Sequence, residues 1–408
     1  MRVFGLSMWL SATIFLAYQY VLRVLPNLIV GPLSANFGIS SQEMGYFSSL
    51  YYIGYTGMHI PIGILLDRIG VRKVMPICIA LTSVALVPLI YSNSWHYAVA
   101  GRLLLGMASS AAVLSVFRVT RICFGEKHFS TAIGITVTIG ILGAVYGGRP
   151  VDILVEQFSW KSVINIFIIA GFVIALLSYI FIPSTKRTDN VPQSNRSIAD
   201  DLRVVCLNPR IILLSSICGL MVGLLEGFAD AWGTLFFEQA YGLDRGTTTM
   251  LPSIIFFGMC VGSPIIGYFI EKTRCYYTGI VFSGIAMLCC FSAILYLELN
   301  TFMLYFCVFT SGFFCAFQVI VISKVRDFAR KELLDMTSTV SNMVIMIYGF
   351  VFHNIIGGLM DMFKDSDGLA SAYSLRCGLS SINIALVLGI AITLLMMFYE
   401  KKKGRSAL

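Results

Sequence analysis

The chain has 408 residues, of which 57% are hydrophobic and 12% charged, with a formal net charge of +8 and a mean hydropathy of +0.84. A soluble domain carries roughly 25% charge, so this composition excludes a water-solvated globule and calls for a bilayer as solvent. It also excludes a nucleic-acid-binding domain, because Lys and Arg fall in short clusters between apolar runs and build no basic face.

Windows of about 20 apolar residues predict twelve membrane helices. Six lie at 5–33, 42–66, 72–92, 95–120, 129–153 and 159–182. The first is too long for a secretory signal and lacks a small-residue cleavage site, so it reads as a retained span. A polar stretch with Pro and Asn, STKRTDNVPQSNRS at 184–197, marks a linker over 184–208. Six more spans lie at 209–237, 247–270, 275–297, 300–323, 335–360 and 373–399, before a short basic tail. The predicted fold class is an all-α membrane protein of two pseudo-symmetric six-helix halves, 1–183 and 209–408.

Orientation follows from the basic residues. With the N-terminus in the cytoplasm, 22 of the 29 Lys and Arg fall on the cytoplasmic side and 5 on the other; Arg23 and Arg102 lie within spans. Such a bias predicts both termini inside.

An internal repeat divides the chain at the same place. GILLDR starts at Gly63 and GYFIEK at Gly267, 204 residues later. Both copies read glycine, three residues, acid, base, and both close an even-numbered span. Two parallel six-helix halves with a site between them are a secondary-transporter architecture. In the first copy, Gly63 is expected to let its helix approach a neighbour closely. Asp67 is expected to accept from Arg118 or Arg121, or to sit at the N-terminus of the eleventh span.

GILLDRIGVRK, with Gly63, Asp67, Arg68, Gly70, Arg72 and Lys73, resembles the loop signature of the major facilitator superfamily. The second copy with Gly267 and Glu271, the Arg102-LLLG motif, and Gly140, Gly143, Gly147 and Gly148 are similar to further signatures of that family. Pro150 comes later than the glycine–proline pairing of its antiporters. The resemblance implies a latch between the halves, made when the protein faces outward and broken as the cytoplasmic side opens. It also implies a link between Arg102 and proton coupling, beside which a purely structural role stays open. YQYVLRV and GFADAWGT are similar to stretches of bacterial phagosomal-transporter families of nutrient carriers.

Ionisable groups inside spans are costly and by default functional. Arg23 follows Gln19 and Tyr20 on the first span, and Glu226 and Asp230 lie four apart on the seventh. Four residues place both acids on one helical face. Arg23 moved by the repeat length falls beside Glu226, so the three are expected to face one another across a central cavity; the alternative sets them at solvated helix ends. Two close carboxylates in a dry cavity favour one proton held between them, so Glu226 and Asp230 are expected to carry a coupled proton. Tyr51, Tyr55 and His59 form an i, i+4, i+8 stripe. Gln318, His353 and Asn354 are further polar groups within spans, and Trp95 and Trp232 read as interfacial anchors.

The expected solute site comprises Arg23, Tyr20, Gln19, Tyr51, Tyr55, Glu226, Asp230, Gln318 and His353. Neither the 11 cysteines nor the four histidines show metal-ligand spacing, and no phosphate-cradling Gly-Lys-Ser/Thr motif exists. No enzyme activity and no cofactor are therefore expected. The expected function is alternating-access symport of a small polar solute (an amino acid, short peptide or organic anion) with protons, by a monomer in a bacterial inner membrane. The alternatives are a proton-driven exporter of a metabolite, siderophore or drug, and a non-transporting sensor.

Overall fold

The computed structural model describes residues 2–182, 198–330, 333–364 and 371–405, and helix is the regular structure found among them. The expected linker stretch 184–197 lies outside the described residues. In chain order the helices are α1 (Arg2–Val24), α2 (Pro26–Phe37), α3 (Ser41–Ile69), α4 (Val71–Tyr91), α5 (Trp95–Tyr146), α6 (Arg149–Phe158) and α7 (Trp160–Phe181). After them come α8 (Ile198–Cys206), α9 (Pro209–Met221), a π-helical segment (Leu224–Trp232), α10 (Gly233–Tyr241), α11 (Arg245–Thr273), α12 (Tyr276–Tyr296), α13 (Thr301–Cys315), α14 (Gln318–Arg326), α15 (Leu334–Met362) and α16 (Ala372–Arg405). Gly125, at φ 63°, breaks α5 into two spans.

Eleven segments of the described residues are long and apolar enough to cross a membrane. The twelfth span, α3, falls short on hydropathy and not on length. Its 29 residues extend about 43 Å at 1.5 Å per residue, beyond a hydrocarbon core of about 30 Å. Four tyrosines, His59, Asp67 and Arg68 dilute its apolar character, and most of those tyrosines are buried inside the protein.

The chain forms two compact units: Met1–Gln193 with Arg245–Ser253, and Ser194–Asp244 with Ile254–Leu408. In the first, α1, α3 and α4 pack on α5, and α4 packs on α7. In the second, α12 packs on α13 and α16, and α15 on α9 and α16. Glycines set the closest approaches. A Cβ on Gly54 would overlap the carbonyl oxygen of Leu103, and one on Gly106 that of Tyr51. Unit 2 repeats the arrangement, with Gly258 against the carbonyl of Phe309 and Gly312 against that of Ile255. Gly258 lies 204 residues after Gly54, the spacing of the GILLDR repeat. Helix backbones touch at both places, as small residues permit in membranes.

Gly63 does not play that part. A Cβ there would lie 4.0 Å from Leu114 Cδ1, an ordinary contact, so the close approach expected of it falls instead to Gly54, about two and a half turns earlier on the same helix. Gly70 is the constrained glycine of the loop, at φ 89° between α3 and α4. With ψ 159° this is backbone essentially reserved for glycine, where a residue with a Cβ costs about 1–3 kcal/mol. At the matching position of the second copy, Arg274 occupies the left-handed region at φ 56°. Gly106→Ala is expected to lower the thermal midpoint of the purified protein, with an overpacking cost of about 1–3 kcal/mol. Gly63→Ala should leave it almost unchanged.

Candidate solute and coupling site

In unit 1 the site is built where α1 ends. Pro26 has no N–H, so the carbonyl of Leu22 loses its helical donor four residues on. Arg102 supplies one instead: its Nη1 donates to the Leu22 carbonyl at 3.1 Å and its Nη2 to the Arg23 carbonyl at 2.9 Å. The same guanidinium lies 5.0 Å from the ring centroid of Tyr51 and 5.6 Å from that of Phe47. Arg102 thus holds the end of α1 against α5 and α3. A guanidinium stays protonated in proteins, so it fixes geometry here and cannot itself carry a proton.

Arg23 is buried, with 5% of its surface exposed. Its Nη2 donates to the hydroxyl of Tyr52 at 3.2 Å, and its guanidinium sits 5.6 and 5.4 Å from the ring centroids of Tyr20 and Tyr52. Tyr51 donates its hydroxyl to Gln19 Oε1 at 2.6 Å. Tyr51 stacks on Tyr55, which lies 5.1 Å from the His59 ring. Arg23 lies in the last turn of α1 and is buried there. Tyr52 was missed because the periodic stripe 51, 55, 59 directs attention to its neighbour; the doubled tyrosine at 51–52 was the available signal.

In unit 2, Glu226 and Asp230 lie on the π-helical segment, 2% and 1% exposed. The wider i→i+5 turn makes four residues slightly less than one turn, so the acids still share a side. Phe228 anchors the segment between them, with ring centroids 5.7, 5.5 and 5.1 Å from Phe236, Phe237 and Phe291. His353, fully buried on α15, places Nε2 3.8 Å from Asp230 Oδ2. Trp232 is 1% exposed and so is a core residue, not the interfacial anchor expected: the π segment turns it inward. Its indole N–H, and the Gln318 amide nitrogen at the start of α14, are buried donors with no hydrogen-bond partner among the described residues. Irregular helix at charged positions is tolerated in membranes where it lines a cavity or is buried in protein.

The loop motif pairs Asp67 with Arg118 inside unit 1, the first of the partners expected for it. The guanidinium of Arg72 lies 5.4 Å from the Tyr179 ring, while Arg68 and Lys73 are exposed. Asp67 is itself 67% exposed in its side chain, and an exposed pair contributes about 0–1 kcal/mol. Asp67→Asn is therefore expected to leave the thermal midpoint nearly unchanged while slowing transport. Wild-type turnover of the inserted variant would show that the pair takes no part in the cycle. In the second copy Glu271 is exposed, and a Cβ on Gly267 would lie 3.7 Å from Val319 Cγ1.

One charged group escaped the sequence analysis entirely. Asp152, wholly buried at the start of α6, meets Arg149 at 2.7 Å and Arg245 at 2.9 Å, and accepts from Thr249 Oγ1 at 3.1 Å. Arg245 is 93 positions away in sequence, and no local pattern could name it.

A family model described as Major Facilitator Superfamily matches residues 6–353. An uncharacterised transporter of Bacillus subtilis, YybO, is 25% identical over 304 residues, which are 68% of this chain and 68% of that one. Among solved structures, a bacterial homologue of the human lysosomal transporter Spinster, inward-facing and unoccupied, superposes with a TM-score of 0.77 at 15% identity, covering 97% of each chain. The nucleoside transporter NupG superposes with a TM-score of 0.77 at 15% identity, over 95% of this chain and 99% of that one.

Proposed function

The chain belongs to the Major Facilitator Superfamily, and from that premise we propose that it moves a small polar solute together with protons by alternating access. It is a multi-pass membrane transporter of twelve helices in two six-helix halves, not an enzyme. The observation that carries the finer reading is the burial of Arg23, Glu226, Asp230 and His353 within membrane helices, where an ionisable group is too costly to keep without use. In the first unit Arg23, braced by Tyr20 and Tyr52 with Gln19, Tyr51 and Tyr55 beside it, is the anion-recognising group. A guanidinium binds a carboxylate through a two-pronged fork, which favours an amino acid, short peptide or organic acid. Glu226 and Asp230 recognise an ammonium group or hold the transported proton, with His353 sharing the proton at Asp230. Trp232 and Gln318 supply donors for further polar atoms of the solute. The basic-residue bias supports cytoplasmic termini, and the reading takes the carrier as a monomer in a bacterial inner membrane.

The test is uptake into proteoliposomes of amino acids, short peptides and organic acids, with and without an imposed pH gradient. Accumulation of a carboxylate-bearing solute driven by an inward proton gradient is expected. Uptake that ignores the pH gradient for every solute would refute proton symport.

A further inference from the structure

Unit 2 holds a cavity of about 170 Å³ that shares no residue with the solute site or the loop motif. Val204 and Val205 of α8, Ile211 of α9, Phe328 and Arg330 between α14 and α15, and Thr337 of α15 line it. Three membrane segments end beside it: one starts at Pro209, one stops at Arg326 and one starts at Met336. The cavity therefore sits where hydrocarbon gives way to headgroups. Phe328 is fixed as a wall, since Asn208 Nδ2 donates to its carbonyl at 3.2 Å, and Arg210 and Lys324 stand 5.4 and 5.1 Å from its ring centroid. Arg330 is exposed at the rim. None of the described lining residues is acidic. Asp327 pairs with Lys324 at 3.3 Å, and Asp200 and Asp201 fall in the first turn of α8. Inside the cavity Thr337 is wholly buried, and its hydroxyl has no hydrogen-bond partner among the described residues. A helical threonine ordinarily satisfies that hydroxyl on the carbonyl one turn back. The helix α8 turns Val205 inward and leaves Val204 and Leu207 43% and 70% exposed.

We propose that this cavity binds the headgroup of an anionic phospholipid, with the phosphate held by the Arg330 guanidinium and the Thr337 hydroxyl. A guanidinium and a hydroxyl both donate, and a phosphate diester supplies the acceptors. The phosphate gives the buried Thr337 hydroxyl the acceptor that its own helix does not, which a diffuse basic surface could not do. Arg210 adds positive potential at the same end, where each basic residue near a membrane surface attracts anionic lipid. Exposed Val204 and Leu207 offer the acyl chains an apolar edge, and Val205 and Ile211 meet the glycerol carbons. A dry cavity of about 150 Å³ accommodates benzene, so this one has room for a phosphate with part of its glycerol. Bound there, the lipid joins α8 to the turn before α15 and stabilises unit 2 by mass action.

Native mass spectrometry of the whole protein, delipidated in detergent and titrated with phosphatidylglycerol or phosphatidylcholine, tests this without solute or proton gradient. Its outcome is therefore independent of which solute is carried and whether protons accompany it. Phosphatidylglycerol is expected to bind about tenfold more tightly than phosphatidylcholine. Arg330→Gln and Thr337→Val should each weaken its binding about fivefold. Ala329→Phe fills the cavity without changing the charge and should abolish the preference. Arg68→Gln removes an exposed charge of unit 1 and should leave it intact. Equal binding of the two lipids would overturn the proposal. Equal losses in Arg330→Gln and Arg68→Gln, with none in Ala329→Phe, would mark a diffuse basic surface and overturn it too. Displacement of the lipid by an equal concentration of glycerol 3-phosphate would make the occupant a soluble phosphate and overturn the lipid. Should Thr337→Val fail to fold, Arg330→Gln and Ala329→Phe, at exposed and half-buried positions, carry the same readings.

Discussion

Arg23→Ala is expected to weaken solute binding by roughly 30-fold to more than 1,000-fold, corresponding to the about 2–5 kcal/mol lost when one partner of a buried charge pair is truncated. Arg23→Lys should recover little of that. The guanidinium is held by the Tyr52 hydroxyl and by the faces of Tyr20 and Tyr52, and a lysine ammonium has neither the planar fork nor the stacking surface. Tyr52→Phe removes the hydroxyl acceptor and keeps the ring, so its effect should be a fraction of the Arg23→Ala loss. Binding of a matched carboxylate and carboxamide pair to wild type and variants, read by isothermal calorimetry or tryptophan fluorescence, checks the assignment. Equal affinity of wild type for the two forms would remove the carboxylate role from Arg23.

Solute-driven proton flux is expected to collapse to the leak of empty vesicles in the Glu226→Gln, Asp230→Asn double variant. Both acids are buried on one π-helical segment, and His353 stands 3.8 Å from Asp230. The prediction rests on the proposal that these two carboxylates titrate as a pair. On the proposed reading His353, 3.8 Å from Asp230 on α15, takes part in that proton transfer, so His353→Gln should retain solute binding while shifting the pH dependence of uptake. The single variants should separate the roles. The acid that carries the proton, once neutralised, leaves exchange of solute for solute intact and abolishes uphill uptake; the acid that binds an ammonium group loses both. Wild-type proton movement in all three acid variants would place the coupling elsewhere in the protein.

Class, span number and the two-half design were open to the amino-acid sequence because each is an average over many residues. Composition fixes the solvent, runs of about 20 apolar residues match the hydrocarbon thickness, and a repeat of 204 residues needs no coordinates to be seen. Intramembrane charge is legible for the same reason: Arg23, Glu226 and Asp230 stand out against an apolar background whatever their partners. Partners are a different matter, since they depend on how helices rotate and where they break. Pro26 frees the Leu22 carbonyl, but only packing brings Arg102 from α5 to fill it. The π-helical segment turns Trp232 into the core, against the expectation that a tryptophan near a span end marks the membrane interface. The glycine that the loop motif singled out, Gly63, has room for a methyl group, while Gly54, in no motif, and Gly106, which closes the Arg102-LLLG motif, sit where backbones touch. Asp152 and Arg245 lie 93 residues apart, and a contact of that kind leaves no local period, because each side chain obeys only the spacing of its own helix. Sequence periodicity reports which face of a helix is wet or dry. Which side chain meets which across two faces is decided by helix rotation and by breaks in helical regularity, which appear only when the chain is folded.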